Sequence, residues 1–227
     1  CGLGFWSGVL AIVRKDLRME FRGKEVFTTT LMFSLLVLVL FNFAFDMTTI
    51  KAEDASAGIL WVAILFSGSL SMNRAFLYEK EEGCLFALML SPIDRSSIYF
   101  GKLISNFVLT LISVAIIVPV FMALYNINVM EQFLWQVVAF FLGTLGFVSV
   151  GTLVASMSVN LRAREMMGPL LMFPVVAPVV ISAVKLSGGL IRGELPADLM
   201  VWVNILIAFN VVYLVVAWLV FEHVIEE

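Results

Sequence analysis

The sequence predicts an all-α fold: an integral membrane bundle of six transmembrane helices, preceded by an amphipathic helix. Of the 227 residues, 62% are hydrophobic and 14% are charged, whereas a soluble domain is about half apolar and about a quarter charged. The hydrophobic residues gather in runs that approach or exceed the roughly 18–20 residues that a span needs. These runs lie near 26–45, 56–73, 100–125, 133–158, 166–187 and 200–221.

The N-terminal stretch, residues 1–25, is predicted to be an amphipathic helix separate from the six-span domain, 26–227. Its apolar residues recur at helical spacing, at Trp6, Val9, Leu10, Val13, Leu17 and Phe21. Its basic residues fall on other faces, at Arg14, Lys15, Arg18 and Arg22. Such a helix lies in the membrane interface with its basic side toward lipid phosphates. The alternative is a solvated lead into the first span.

The distribution of basic residues predicts the orientation. Eleven of the 14 lysines and arginines lie in the N-terminal stretch, the 74–102 connector and the 159–165 loop. Because cytoplasmic loops carry the excess of Lys and Arg, both termini and this connector are expected in the cytoplasm.

Several functions are disfavoured by what the sequence lacks. Around Gly101-Lys102, Ser96 and Leu103 replace the first glycine and the Ser/Thr of a phosphate-binding loop, so ATP is not expected to bind here. Asp, Glu, Arg and His are missing from the middle of every predicted span, which argues against a proton-driven carrier. His223 is the single histidine, and we expect it to be an interface residue. The net charge of −3 gives no indication of nucleic acid binding.

The connector between the second and third spans is the one long cytoplasmic loop, so it is the natural docking surface for a partner. Its coupling segment is expected at about 74–99. Acidic residues would set the register, apolar residues would enter a partner's groove, Gly83 would divide the two parts and Pro92 would end the helix. The candidate docking residues are Glu79, Glu81, Glu82, Gly83, Leu85, Phe86, Met89 and Pro92. The alternative is an interfacial or re-entrant loop held against its own bundle.

Prolines and small residues mark two of the spans. Pro169, Pro174 and Pro178 are expected to kink or break the fifth span, as a gate or as a static packing kink. In the fourth span, Gly151 and Ala155 form a small-xxx-small pair. Close packing within the chain is the favoured use of this pair, ahead of a dimer contact.

The connector resembles the cytoplasmic loop of type-2 ABC exporter permeases. It has E-x-E-E-G, then apolar residues, Ser-Pro, and Gly101-Lys102 opening a span. In that family the amphipathic helix, six spans and this loop occur together, and the loop carries a cytoplasmic coupling helix that docks into a separate ATPase subunit.

A narrower resemblance, over about residues 9–222, is to the CcmB family of cytochrome c maturation. The family pattern G-x-x-W-V-A is matched at Gly58, Trp61, Val62 and Ala63. The family's L-P-x-x-x-P-x-x-I pattern is matched in part by Pro174, Pro178 and Ile181, with Phe173 in place of the leucine.

This resemblance implies a non-catalytic permease-like subunit, a homodimer in the bacterial inner membrane. Its partners would be a CcmA-like ATPase, a CcmC-like haem-handling protein, a small CcmD-like subunit and a CcmE-like haem chaperone. No cofactor is expected on this chain; ATP and haem would be held by partner subunits. The alternatives are an ABC permease for another amphipathic substrate, such as a lipid or drug, and a secondary carrier or membrane scaffold.

Overall fold

The computed structural model describes residues 5–23, 25–44, 52–81, 95–158 and 164–224, with side chains for 5–23, 27–44, 55–72, 96–156 and 172–219. All the secondary structure in these ranges is helical. The helices are α1 Phe5–Gly23, α2 Glu25–Ala44, α3 Ala52–Glu81, α4 Arg95–Tyr125, α5 Phe133–Ser158, α6 Arg164–Ile191 and α7 Met200–Val224.

Six of these helices, α2 to α7, are long and apolar enough to cross a membrane. The prediction of an all-α bundle with six spans is therefore confirmed. Helices α3, α5 and α6 form the centre, with most of their span residues buried, whereas α2 and α7 are peripheral. Large side chains on α2 and α7, such as Leu40 and Val211, are exposed, as expected for helices that face lipid.

Three helices extend beyond the predicted spans. Helix α3 continues to Glu81, α4 begins at Arg95, and α6 continues to Ile191. The connection between the fifth and sixth spans is shorter than their predicted bounds, 187 and 200, imply, because Gly188 and Gly189 are helical. A Cβ at Gly189 would lie 2.5 Å from Leu199 Cδ2, so the glycine allows the end of α6 to pack closely against the segment before α7.

Glycines of α5 allow its neighbours to approach closely. A Cβ at Gly143 would lie 2.3 Å from Trp61 Cη2 of α3, and one at Gly151 would lie 2.7 Å from Met72 Cε of α3. Both of these contacts lie within the chain. The predicted intrachain use of the small residues is confirmed at Gly151.

Two asparagines form hydrogen bonds between helices. Asn106 Nδ2 of α4 donates to Thr152 Oγ1 of α5 at 3.2 Å. Asn210 Nδ2 of α7 donates to the Leu142 carbonyl of α5 at 3.0 Å. These bonds fix the register of α4 and α7 on the central helix α5, where the surrounding apolar contacts alone would allow sliding.

Candidate functional site at the start of helix α4

Most of the predicted docking residues lie outside the described residues: Glu82, Gly83, Leu85, Phe86, Met89 and Pro92. Glu79 and Glu81 belong to the last turn of α3, and their side chains are not described. The structure therefore describes the two helix ends that flank this segment, the end of α3 and the start of α4. The start of α4 contains an unexpected set of contacts.

Lys102, in the second turn of α4, is buried and forms an ion pair with α1. Its side chain is 5% exposed, and its Nζ lies 2.9 Å from Asp16 Oδ2. The other carboxylate oxygen, Asp16 Oδ1, lies 3.1 Å from Lys15 Nζ, on a side chain that is about one-third exposed. A buried ammonium group is costly unless a counter-charge neutralises it. Helix α1 must therefore stay close to α4 for Asp16 to neutralise Lys102.

Gly101, directly before this lysine, brings the two helices together. A Cβ there would lie 2.8 Å from Ile12 Cβ of α1, so a larger residue would push α1 away and lengthen the ion pair. We call Ile12, Asp16, Gly101 and Lys102 the clasp. The sequence resemblance assigned Gly101-Lys102 to the loop pattern; the structure places both inside α4, in its contact with α1.

The first turns of α4 also contact the other helices at this end of the bundle. Ser97 Oγ donates to the Phe5 carbonyl of α1 at 3.3 Å. Tyr99 OH donates to the Ser149 carbonyl of α5 at 3.0 Å, and Trp218 Nε1 of α7 donates to Ser96 Oγ at 3.2 Å. The start of α4 is thus bonded to three other helices directly after the predicted docking segment.

Glu20 ties the other end of α1 to α2. Its Oε1 accepts a hydrogen bond of 2.6 Å from the Phe27 backbone N–H in the first turn of α2, one of the amides that lack a partner within a helix. Burial raises the pKa of Glu20, and the hydrogen bond from Phe27 opposes this in part. Helix α1 is consequently fixed at two points, on α4 and on α2.

The prolines of α6 do not break the helix. The sequence predicts a kink or a break. Helix α6 is continuous from Arg164 to Ile191, so a break is wrong and the kink stays a prediction. Membrane helices tolerate proline where the freed backbone groups find other partners. Pro174 and Pro178 both lie on the outward side of α6, opposite buried Val176 and Val179. The side chain of Pro169 is not among those described.

The G-x-x-W-V-A stretch forms part of the core. Trp61 is 1% exposed and packs between α5 and α6. Its Nε1 donates to Ser187 Oγ of α6 at 3.1 Å, and its ring is 5.9 Å from that of Phe140. The stretch therefore has a packing role at the centre of the bundle.

The family model described as CcmB protein matches residues 7–227. The chain belongs to the CcmB family. The family recognised in the sequence is thereby confirmed. The match begins in α1 and ends beyond α7, so it includes the clasp, the predicted docking segment and all six spans. With its six span-length helices, this CcmB-family chain is a multi-pass bacterial membrane protein.

Relatives of this chain include three proteins named "Heme exporter protein B". The Rhodobacter capsulatus protein is 28% identical over 176 residues, 78% of this chain and 80% of that protein. The Paracoccus denitrificans protein is 28% identical over 207 residues, 91% of this chain and 93% of that protein. The Haemophilus influenzae protein is 28% identical over 175 residues, 77% of this chain and 78% of that protein.

The acidic residues of α1 were not among the predicted functional residues. Asp16 and Glu20 are four residues apart and are the only acidic residues in a helix with four arginines and lysines after Val13. Two acids on one face of a basic helix indicate a side that meets protein cations or backbone amides instead of lipid phosphates. That signal was available in the sequence and would have predicted the side of α1 that contacts the bundle.

Proposed function

We propose that this chain is the permease-like membrane subunit of an ABC-type complex in cytochrome c maturation. In this proposal it is itself non-catalytic and couples ATP hydrolysis by a separate ATPase subunit to movement of the membrane bundle. The family, the relatives named "Heme exporter protein B" and the six span-length helices support this function over the carrier and scaffold alternatives.

The observation that carries the coupling role is the set of bonds at the start of α4. In this mechanism the ATPase subunit docks on the predicted docking segment, residues 79–92, and displaces the helices on either side of it. Because the first turns of α4 are bonded to α1, α5 and α7, a displacement of α4 reaches three helices at once. The ion pair of the buried Lys102 resists separation of α4 from α1, since separating Lys102 from Asp16 would leave an uncompensated charge.

The partner subunits in this proposal supply the chemistry. ATP is held by the CcmA-like ATPase, and haem by a CcmC-like membrane protein and a CcmE-like chaperone, with a small CcmD-like subunit completing the complex. The membrane chain acts as a homodimer, one copy for each of two ATPase subunits. The support is the family resemblance of the docking segment.

We place the clasp on the cytoplasmic side of the bacterial inner membrane, with both termini on the same side. The support is the number of lysines and arginines at the α1 end of the bundle. Cytoplasmic placement is required by the mechanism, since ATP is available there.

The docking segment is tested by a charge reversal, Glu82→Arg, with Leu85→Arg as a second variant. Both are expected to insert normally in the membrane and to lose the ATPase on mild purification, because an arginine would meet a surface that is complementary to an acid or to a leucine. The measurement is mass spectrometry of the co-purified proteins, together with ATP hydrolysis by the purified complex.

The matched control is Glu131→Arg, the same reversal at an exposed site on the opposite end of the bundle, which is expected to keep the ATPase. A normal, active complex with Glu82→Arg and Leu85→Arg would show that this segment is not the dock. An ATPase recovered without any haem-handling protein would keep the permease role and favour another amphipathic substrate.

A further inference from the structure

Helix α1 has an outward surface that neither the fold nor the coupling role uses. The sequence predicts one apolar face, but the structure divides the apolar residues between two directions. Val9 and Ile12 are buried against the bundle, whereas Trp6, Leu10 and Phe21 are 70%, 65% and 58% exposed. An exposed apolar stripe of this kind on a helix outside the spans marks an interaction site.

Three arginines lie beside that stripe. With 100° between successive residues of a helix, Trp6, Leu10 and Phe21 fall within about 60° of the circumference. Arg14, Arg18 and Arg22 occupy the next about 80°, and all three are exposed. In the part of the chain that the structure describes, none of their guanidinium groups forms an ion pair. Arg18, Phe21 and Arg22 together line an open recess.

The two attachments of α1 set its level relative to the membrane. Phe5, at its first turn, accepts from Ser97 at the start of the α4 span. Glu20, near its last turn, accepts from Phe27 at the start of the α2 span. Since both ends of α1 are held at the first turn of a span, the helix lies along the edge of the hydrocarbon region. Its outward surface is therefore at the depth of lipid headgroups.

We propose that Arg14, Arg18 and Arg22, with the stripe of Trp6, Leu10 and Phe21, form a binding site for an anionic phospholipid. The guanidinium groups bind the lipid phosphate, for which their forked donors are suited, and the apolar stripe contacts the upper part of the acyl chains. A soluble phosphate would leave the apolar stripe uncovered, and this favours a lipid. The clasp holds the surface in place before any lipid binds.

The test uses the purified full-length chain in mild detergent, titrated with phosphatidylglycerol or phosphatidylcholine, with bound lipid counted by native mass spectrometry. We expect tighter binding of phosphatidylglycerol, weakened by salt. The double variant Arg18→Gln/Arg22→Gln should lower the phosphatidylglycerol affinity roughly fivefold for each charge removed and leave phosphatidylcholine binding unchanged. Phe21→Ser should weaken both lipids.

Lys185→Gln is the control, because it removes one exposed cation toward the opposite end of the bundle; it should change neither affinity. Equal affinities for the two lipids, or an unchanged phosphatidylglycerol affinity in the double variant, would overturn the proposal. So would displacement of the lipid by inorganic phosphate, which would identify a soluble phosphate as the occupant. Because the assay contains no ATPase, its result is independent of the proposed function.

Discussion

At the scale of single residues, Lys102 and Gly143 show how much this bundle depends on close contacts in its interior. The ammonium group of Lys102 would be costly to bury without Asp16, whose Oδ2 lies 2.9 Å from Lys102 Nζ. Gly143 has no room for a side chain beside the Trp61 ring. A substitution that changes only a few atoms tests each contact, and each test has a control substitution elsewhere in the chain.

Asp16→Asn is expected to destabilise the purified protein by about 3 kcal/mol, because the amide no longer neutralises the buried Lys102 ammonium. Thermal unfolding in detergent would show the loss. The double variant Asp16→Leu/Lys102→Met should be closer to the natural protein than Asp16→Asn, since it leaves no unpaired charge. The control Asp198→Asn, at an exposed acid, should stay within about 0.5 kcal/mol. Unchanged stability of Asp16→Asn would contradict the structural role of the clasp.

Gly143→Ala and Gly58→Ala form a matched pair of glycine-to-alanine changes within helices. A Cβ at Gly143 would overlap the buried ring at 2.3 Å, whereas a Cβ at Gly58 meets nothing within 4 Å. The first change should cost about 1–3 kcal/mol through overpacking. The second should be neutral or stabilise by up to about 1 kcal/mol, because alanine favours a helix. Chemical unfolding of the two variants checks this. Equal changes in the free energy of unfolding would show that the Trp61 ring does not restrict the size of the residue at position 143.

At the scale of elements, hydropathy predicts where helices cross a membrane but not where they end. The predicted second span stops near residue 73 because charged residues follow, yet α3 continues to Glu81. A helix can leave the membrane without ending, since its backbone hydrogen bonds are internal. Similarly, Lys185 and Gly188-Gly189 indicate a loop by composition, but close packing against Leu199 keeps them in α6. Element existence is therefore predictable here, whereas element length depends on tertiary contacts.

The corner between α1 and α2 should respond to pH through Glu20. Its pKa is raised in the folded protein, mainly by burial, so the folded state binds the proton more tightly than the unfolded chain. The resulting stabilisation is present at low pH and is lost as pH rises through the folded pKa. Thermal stability should therefore fall as the pH rises from the ordinary glutamate pKa of about 4.3 through the raised pKa of Glu20, and fall less in Glu20→Gln, which keeps an acceptor for the Phe27 N–H.

Glu131→Gln, at an exposed glutamate, is the control for that measurement and should keep the pH dependence of the natural protein. Any titration common to the rest of the chain would appear in all three proteins. An identical pH dependence in the natural protein and in Glu20→Gln would show that burial of this carboxyl group has no energetic effect on the corner.

At the scale of the whole molecule, the six spans, the helix before them and the CcmB family were all predictable from sequence. The family follows from short patterns such as the one at Gly58 and Trp61, which lie in the core. The clasp was not predictable in the same way, because Asp16 and Lys102 are far apart along the chain. A pairing of this kind requires the path of α2 and α3 to be known.

The orientation of the whole bundle can be checked by labelling single cysteines with a membrane-impermeant maleimide. In a chain with Cys1 and Cys84 replaced by serine, Glu131→Cys should be labelled in intact spheroplasts. Gly23→Cys, at the exposed end of α1, should be labelled only after the membrane is permeabilised, because the basic end of the bundle is expected in the cytoplasm. Labelling of Gly23→Cys in intact spheroplasts would reverse the orientation.

The pairing of Asp16 with Lys102 has a consequence for how the protein is made. Asp16 leaves the ribosome early, but its partner is synthesised only after α2 and α3 have been completed. During this interval Asp16 lacks the lysine with which it pairs in the finished protein. The first helix can therefore take its final position only when the third span has begun to be inserted. A nascent chain halted before residue 102 cannot form the pairing of Asp16 with Lys102.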